Sequence, residues 1–465
     1  MNLKFKVRGV LVTVLTASMV MVSEDSITRE LTESRAEVEN RLDNLVSTYR
    51  VTPKDLNARR AYADTLFKLG NIWQANEVAA PLITARSPSP WDLELVAHIA
   101  LLMMDLKRAE SLYTRLIGVS SEGSDSHTEG LKGLLMVYYQ SQDFEKAKHL
   151  SFTSDDSSLL RYLKAFEGRP YQMRWTSEDK VAHLPFTNDI TRPGALPEVE
   201  ITVNGEATLL TLDTGGDRLY LDTSVAKKVG IRELTSSQAK YAYTGGKLVQ
   251  EPLGVADRIE LGGVVLANVP TVVARWKAHG PKTDGVLGTA ILKQFLSTID
   301  YEKAEITLRP RNNKDYLRDA LGERETVNVP FFMSSTHLMF AKGQINNHAQ
   351  LNLFLDSGLA ASMPMIVVDE TVELLGLTKN ELDGLPYYWV PLSNHGLNGL
   401  LFGATQALGN VFVESDIHRS QGFFLDALIS HQYLWKLGSW TIDFDTMSYY
   451  FPMRLDSIGP TDPTS

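Results

Sequence analysis

The pattern of apolar and polar positions changes character along the chain. From residue 24 to 164 apolar residues recur at three- and four-residue steps, and the breaks fall at Pro or Ser/Gly clusters such as Ser87-Pro88-Ser89-Pro90. That period predicts amphipathic helices. After Tyr162 the helical period is lost, and Gly168, Pro170, Pro185, Pro193, Gly194 and Pro197 punctuate the chain, which predicts a linker over residues 165–184. Beyond it, short apolar runs alternate with Gly and Asn turns, the texture of β-strands.

The helical stretch contains a repeat. Gly70-Asn-Ile-Trp-Gln-Ala75, Met104-Asp-Leu-Lys-Arg-Ala109 and Gln142-Asp-Phe-Glu-Lys-Ala147 each place a turn residue, an apolar residue two positions on and an alanine three further. The alanines stand 34 and then 38 residues apart. A period of 34 is that of a helix pair in which a small residue lets two helices approach closely. Residues 56–151 thus resemble the tetratricopeptide repeat family, with a plain helical bundle as the alternative. A repeat array would offer its concave face to a protein partner.

The β-rich part also repeats. Residues 199–213 read as strand, Asn-Gly turn and strand, ending at Asp213, and residues 344–356 have the same layout, ending at Asp356. Each aspartate leaves an apolar strand into a turn: Asp213-Thr214-Gly215 and Asp356-Ser357-Gly358. Downstream, residues 287–296 align without gaps on residues 425–434, matching at Leu, Gln, an aromatic and Leu. Thr298-Ile-Asp-Tyr301 and Thr441-Ile-Asp-Phe444 then follow. Two units of similar structure are expected, over residues 185–310 and 325–453. One Asp-Thr/Ser-Gly triplet is an ordinary turn; the doubled context gives the pair its meaning.

Composition narrows the chemistry. The chain of 465 residues is too long for one core. It has no cysteine, which removes thiolate nucleophiles, Cys-ligated metal and disulfides together. Its ten histidines are scattered singly, and no serine-hydrolase elbow, zinc-helix pair or phosphate loop occurs. Neither metal nor cofactor is expected. A formal net charge of −10, without a basic stripe, argues against nucleic acid as a partner. Lys4, Lys6 and Arg8 precede an uncharged run from Gly9 to Val22, the layout of a secretory leader over residues 1–22. An exported protein, periplasmic or secreted, is expected; an uncleaved leader would anchor it to the membrane.

On the two triplets and their flanking blocks, the β-rich part resembles the retropepsin/pepsin-like aspartic peptidases. The resemblance implies a multidomain α + β protein, a helical repeat followed by two all-β barrel lobes. It implies that Asp213 and Asp356 form the catalytic pair on a peptide or protein substrate, with Thr214, Gly215, Ser357 and Gly358 supporting the turns. Gly285-Val286-Leu287-Gly288 matches the apolar-apolar-Gly element behind the first triplet. Tyr241, Tyr243 and Gly245 fall where the family carries its substrate-covering flap. The gapless alignment sets Asp426 at the position of Gly288, which would bring a third carboxylate beside the pair. The alternative is a peptide-binding or scaffolding protein with a degenerate, non-catalytic cleft.

Overall fold

The computed structural model describes residues 31–453 apart from 85–86, 153–156, 193–194, 242–247, 280–281, 360–362, 383–386 and 410–420, together with the backbones of three short strands before residue 31. The expected leader, residues 1–22, lies outside the residues whose side chains are described. The chain is an N-terminal helical region followed by a large β-rich part. Among the described residues no helix is long and apolar enough to cross a membrane.

Side-chain caps set most of the helix starts in the N-terminal region. Ser34 opens α1 (Arg35–Val51) in a reciprocal box with Glu37, and Asp55 caps α2 (Leu56–Lys68). One turn later comes α3 (Ile72–Ala79), and Ser89 with Asp92 then opens α4 (Pro90–Leu102). The helical region continues with α5 (Leu106–Val119), α6 (Asp125–Ser141), α7 (Phe144–Ala147) and α8 (Ser158–Ala165).

The three sequence repeats adopt one local structure. Gly70, Met104 and Gln142 all take positive φ, at 67°, 59° and 62°. In each, the next amide reaches back to a carbonyl five residues earlier: Asn71 to Leu66, Asp105 to Ala100 and Asp143 to Tyr138, at 2.8–3.0 Å. The left-handed residue ends one helix and turns the chain directly into the next. Ala75, Ala109 and Ala147 are fully buried where the paired helices meet.

The β-rich part folds as two connected halves. In the first, Glu198–Val203, Glu206–Leu212, Gly285–Leu287 and Leu219–Asp222 lie in one sheet. In the second, Met339–Ile345, His348–Leu355, Ala427–Ile429 and Met365–Val367 follow a similar order. Within the expected linker, Gln172–Trp175 and Ala182–Pro185 are strands at the sheet edges. The halves are joined where Leu296–Asp300 pairs antiparallel with Ser439–Asp443. Thr298 stands opposite Thr441 there, with their hydroxyls 2.9 Å apart. These are the two copies of the Thr-Ile-Asp repeat, so a near-twofold axis passes through this pair.

Buried polar groups dock the helices on the second half. Arg35 of α1 donates to Asp426 at 2.8 Å, with both side chains buried. Asp426 also accepts from the Asn352 amide and the Thr371 hydroxyl. Burial pushes its carboxyl up, and the Arg35 cation pulls it back down. Removing one member of a buried ion pair leaves the other uncompensated. Arg35→Ala should therefore cost about 3 kcal/mol at neutral pH, and less in acid where Asp426 can protonate. Denaturant midpoints at pH 5 and pH 7 measure both effects.

Candidate active site

The chain reaches each triplet from the end of a strand held on a parallel neighbour. Glu206–Leu212 lies beside Gly285–Leu287, with Leu212 opposite Leu287, and the Asp213 amide donates to the Leu287 carbonyl at 3.1 Å. His348–Leu355 lies beside Ala427–Ile429, with Leu355 opposite Ile429, and the Asp356 amide donates to the Ile429 carbonyl at 3.0 Å. The following glycine amide then turns onto the carboxylate. Gly215 N donates to Asp213 Oδ1 at 2.7 Å, and Gly358 N donates to Asp356 Oδ1 at 2.9 Å.

The two turns are locked to one another through their hydroxyl residues. Thr214 N donates to Ser357 Oγ and Ser357 N donates to Thr214 Oγ1, each at 3.0 Å. Thr214 Oγ1 donates onward to the Leu355 carbonyl at 2.8 Å, and Ser357 Oγ to the Leu212 carbonyl at 3.0 Å. Four buried hydrogen bonds thus cross between the halves with the same near-twofold symmetry as the Thr298–Thr441 pair.

This lock brings the carboxyls face to face. A Cβ placed on Gly215 would stand 2.7–2.8 Å from the Asp356 carboxyl, and one on Gly358 would stand 2.1–2.4 Å from that of Asp213. Any side chain at either position would displace the opposite aspartate, so the pair requires both glycines. Asp213, Thr214, Asp356 and Ser357 are all fully buried. Burial first, and the neighbouring Asp213 carboxyl second, hold the Asp356 carboxyl well above the usual carboxylate range. Two like charges so close cannot both ionise at low cost, so the pair titrates as one unit.

The strand registers correct the expected place of Asp426. Leu287 corresponds to Ile429, so Gly288 corresponds to Ser430, four residues beyond Asp426. The counterpart of Asp426 is Asp284. Asp284 accepts from the Leu209 amide at 3.0 Å and Asp426 from the Asn352 amide at 2.6 Å, and these are the residues four before each triplet aspartate. Four strand residues span roughly 13 Å, so Asp426 anchors the base of its strand away from the pair. The gapless match of residues 287–296 to 425–434 was out of register. The signal that survives is Asp284-Gly-Val-Leu-Gly288 against Asp426-Ala-Leu-Ile-Ser430, visible only once a gap is allowed.

Of the expected flap residues, Tyr243 and Gly245 lie outside the described residues. Tyr241 ends the strand Arg232–Tyr241, and its side chain is not described. Sequence reasoning missed a polar cluster just beyond the first triplet. Arg218 pairs with Asp217 at 2.9 Å, and the Tyr220 hydroxyl donates to Asp217. Tyr139 of α6 lies 6.0 Å beneath the Arg218 guanidinium. Among the described residues no group of three His, Cys, Asp or Glu side chains is placed to hold a metal ion.

Residues 199–291 match the family model for aspartyl proteases. That segment contains the first triplet and the Asp284–Gly288 block, so the chain carries an aspartyl-protease-like domain. No curated protein matches the chain. Among solved structures, a retropepsin-like aspartic protease from Rickettsia conorii is 17% identical, covers 30% of this chain and 94% of its own, and has a TM-score of 0.21. Basic 7S globulin from soybean is 12% identical with a TM-score of 0.35, covering 59% of this chain and 95% of its own. Conglutin gamma from lupine seeds is 10% identical with a TM-score of 0.38, covering 60% and 96%.

The raised carboxyl has a consequence for stability. A folded chain that keeps a proton on Asp356 binds more protons than the unfolded chain once pH passes the ordinary carboxyl value. Stability contributed at this site therefore falls as pH rises through that window. Asp356→Asn removes the ionisation. The variant should melt above the wild type at pH 7, and the gap should close as pH approaches 4. Thermal melts across this range measure it.

Proposed function

We propose that the protein is an aspartic endopeptidase in which two β-barrel lobes, residues 185–310 and 325–453, each supply one carboxyl of an Asp213/Asp356 pair. The observation that carries this reading is the reciprocal Thr214–Ser357 bonding that sets the two carboxyls against each other. The aspartyl-protease match over residues 199–291 supports it at the level of the family.

One shared proton suffices for hydrolysis without a covalent intermediate. The ionised carboxylate takes a proton from a water as that water attacks the scissile carbonyl carbon, and the protonated partner donates to the carbonyl oxygen. When the tetrahedral intermediate collapses, the C–N bond breaks and a proton passes to the departing amine. The Gly215 and Gly358 amides steady the inner oxygen of each carboxyl throughout. Burial and the closeness of the two carboxyls hold a proton on the pair, and whichever aspartate carries it is the acid of the first step, with its partner the base.

The helical region is read as a tetratricopeptide-like array able to hold a protein partner, which its three identical turns support. The N-terminal layout of the sequence supports export. A second reading, a peptide-binding protein that does not cut, is favoured by one observation: both carboxyls are wholly buried.

Incubating the protein with a mixed peptide library between pH 3 and pH 7 separates the two. Asp213→Asn and Asp356→Asn should each reduce cleavage by at least about a thousandfold, since either change removes a proton-transfer partner. Cleavage should also decline as pH rises through the raised value of the pair. No cleavage by folded wild type at any pH would favour the binder.

A further inference from the structure

The strand that leads to Asp356 has two faces with different neighbours. Leu351, Leu353 and Leu355 point into the core of the β-rich part. Phe354 points the other way, and by the two-residue alternation so do Asn352 and Asp356 itself. Val286 and Leu428, the middle residues of the strands beside the two triplets, join Phe354 on that side. An extended peptide reaching the pair would have to lie on this face.

In this structure the helical region lies there. The carbonyl of Leu69, at the end of α2, accepts from Asn352 Nδ2 at 3.1 Å and from the Lys342 ammonium at 2.8 Å. A Cβ on Gly70 would stand 2.3 Å from the Asn352 side chain, so the turn after α2 packs tightly on this face at the base of the strand, four residues before Asp356. Trp73 of α3 packs edge-on against Phe332, which stacks on Phe340, which meets Phe354. One continuous apolar layer runs from the interior of the helices to Phe354, Val286 and Leu428.

The other side of the site is held in the same way. Tyr162 of α8 donates to the Gly254 carbonyl at 2.9 Å. Gln140, at the end of α6, donates to the Ser335 carbonyl at 2.7 Å and receives the buried Lys293 ammonium on its own carbonyl and side-chain oxygens at 2.8 and 2.7 Å.

We infer that the helical region is an internal cover seated in the substrate groove, and that peptide substrate gains the Asp213/Asp356 pair only when the helices move off the β-rich part. This rests on the peptidase reading for what the groove holds. The helices pack on one another around Ala75, Ala109 and Ala147, and much of their polar attachment to the β-rich part runs through single side chains, Arg35 onto the Asp426 carboxylate and Gln140 onto the Ser335 carbonyl among them. Arg35 and Gln140 are two such anchors, and neither touches the carboxyl pair or the triplets.

The test uses the full chain and the variant Arg35→Ala/Gln140→Ala. Two readouts run together: carbodiimide-driven coupling of a small amine to Asp213 and Asp356, followed by mass spectrometry, and cleavage of the peptide library. Hydrogen exchange across α2–α8 and circular dichroism report whether the helices have loosened while still folded. Labelling of the pair should be at least tenfold faster in the variant than in the wild type, and cleavage should rise with it. Equal labelling of the pair, in a folded variant whose helices have loosened, would overturn the cover. Faster labelling without cleavage in any form would uphold the cover and overturn the peptidase reading. If the double variant does not fold, the same comparison is made on the wild type with and without sub-denaturing urea, and the same outcomes decide.

Discussion

The reciprocal bonding of Thr214 and Ser357 is the constraint on which the rest of the site depends. Each residue gives its amide to the other's hydroxyl and its hydroxyl to a carbonyl on the opposite strand. Each such bond contributes about 1 kcal/mol net, but a buried donor left bare costs about 1–3 kcal/mol. The turns therefore cannot separate by a fraction of an ångström without leaving several polar groups unpaired. Their mutual position is fixed far more tightly than apolar packing between the halves would fix it.

That rigidity sets the electrostatics. With the turns locked and no side chain on Gly215 or Gly358, the Asp213 and Asp356 carboxyls must share one small buried space. Ionising both there is costly, so a proton stays on the pair above the ordinary carboxyl range. The same near-twofold relation returns at Thr298–Thr441 and at the strand-anchoring aspartates, Asp284 and Asp426. Asp284 meets Lys277 from its own half, whereas Asp426 meets Arg35 from the helices. The symmetric device has thus been put to a second use, attachment of the helical region.

Much of this was legible in the sequence wherever local chemistry decides. The turn residues at 70, 104 and 142 could be read because a left-handed position between two helices leaves a short signature with a buried alanine at a fixed distance. The strand–Asp–turn units could be read because period-two apolar runs end at an unusual triplet. The second Asp-x-x-x-Gly/Ser block was misplaced because a chance match of Leu, Gln and Leu outscored the true register, which needs a gap. Nothing local marks Arg35, Gln140 or Lys293: each reads as a solvated polar residue, and only tertiary packing buries it. The position of the helices over the Asp356 strand was likewise beyond reach, since periodicity says which face of an element is apolar but not what will cover it.

The central claim is that the two carboxyls form one coupled unit across the Thr214–Ser357 lock. Carboxyl carbon NMR of aspartate-labelled protein, titrated from pH 2 to pH 8, tests it most directly. The account predicts that the Asp356 resonance titrates well above pH 4. It also predicts that Asp213→Asn lowers that midpoint without returning it fully to the ordinary value, because burial remains. Two independent titrations near pH 4, with Asp356 unmoved by Asp213→Asn, would contradict it.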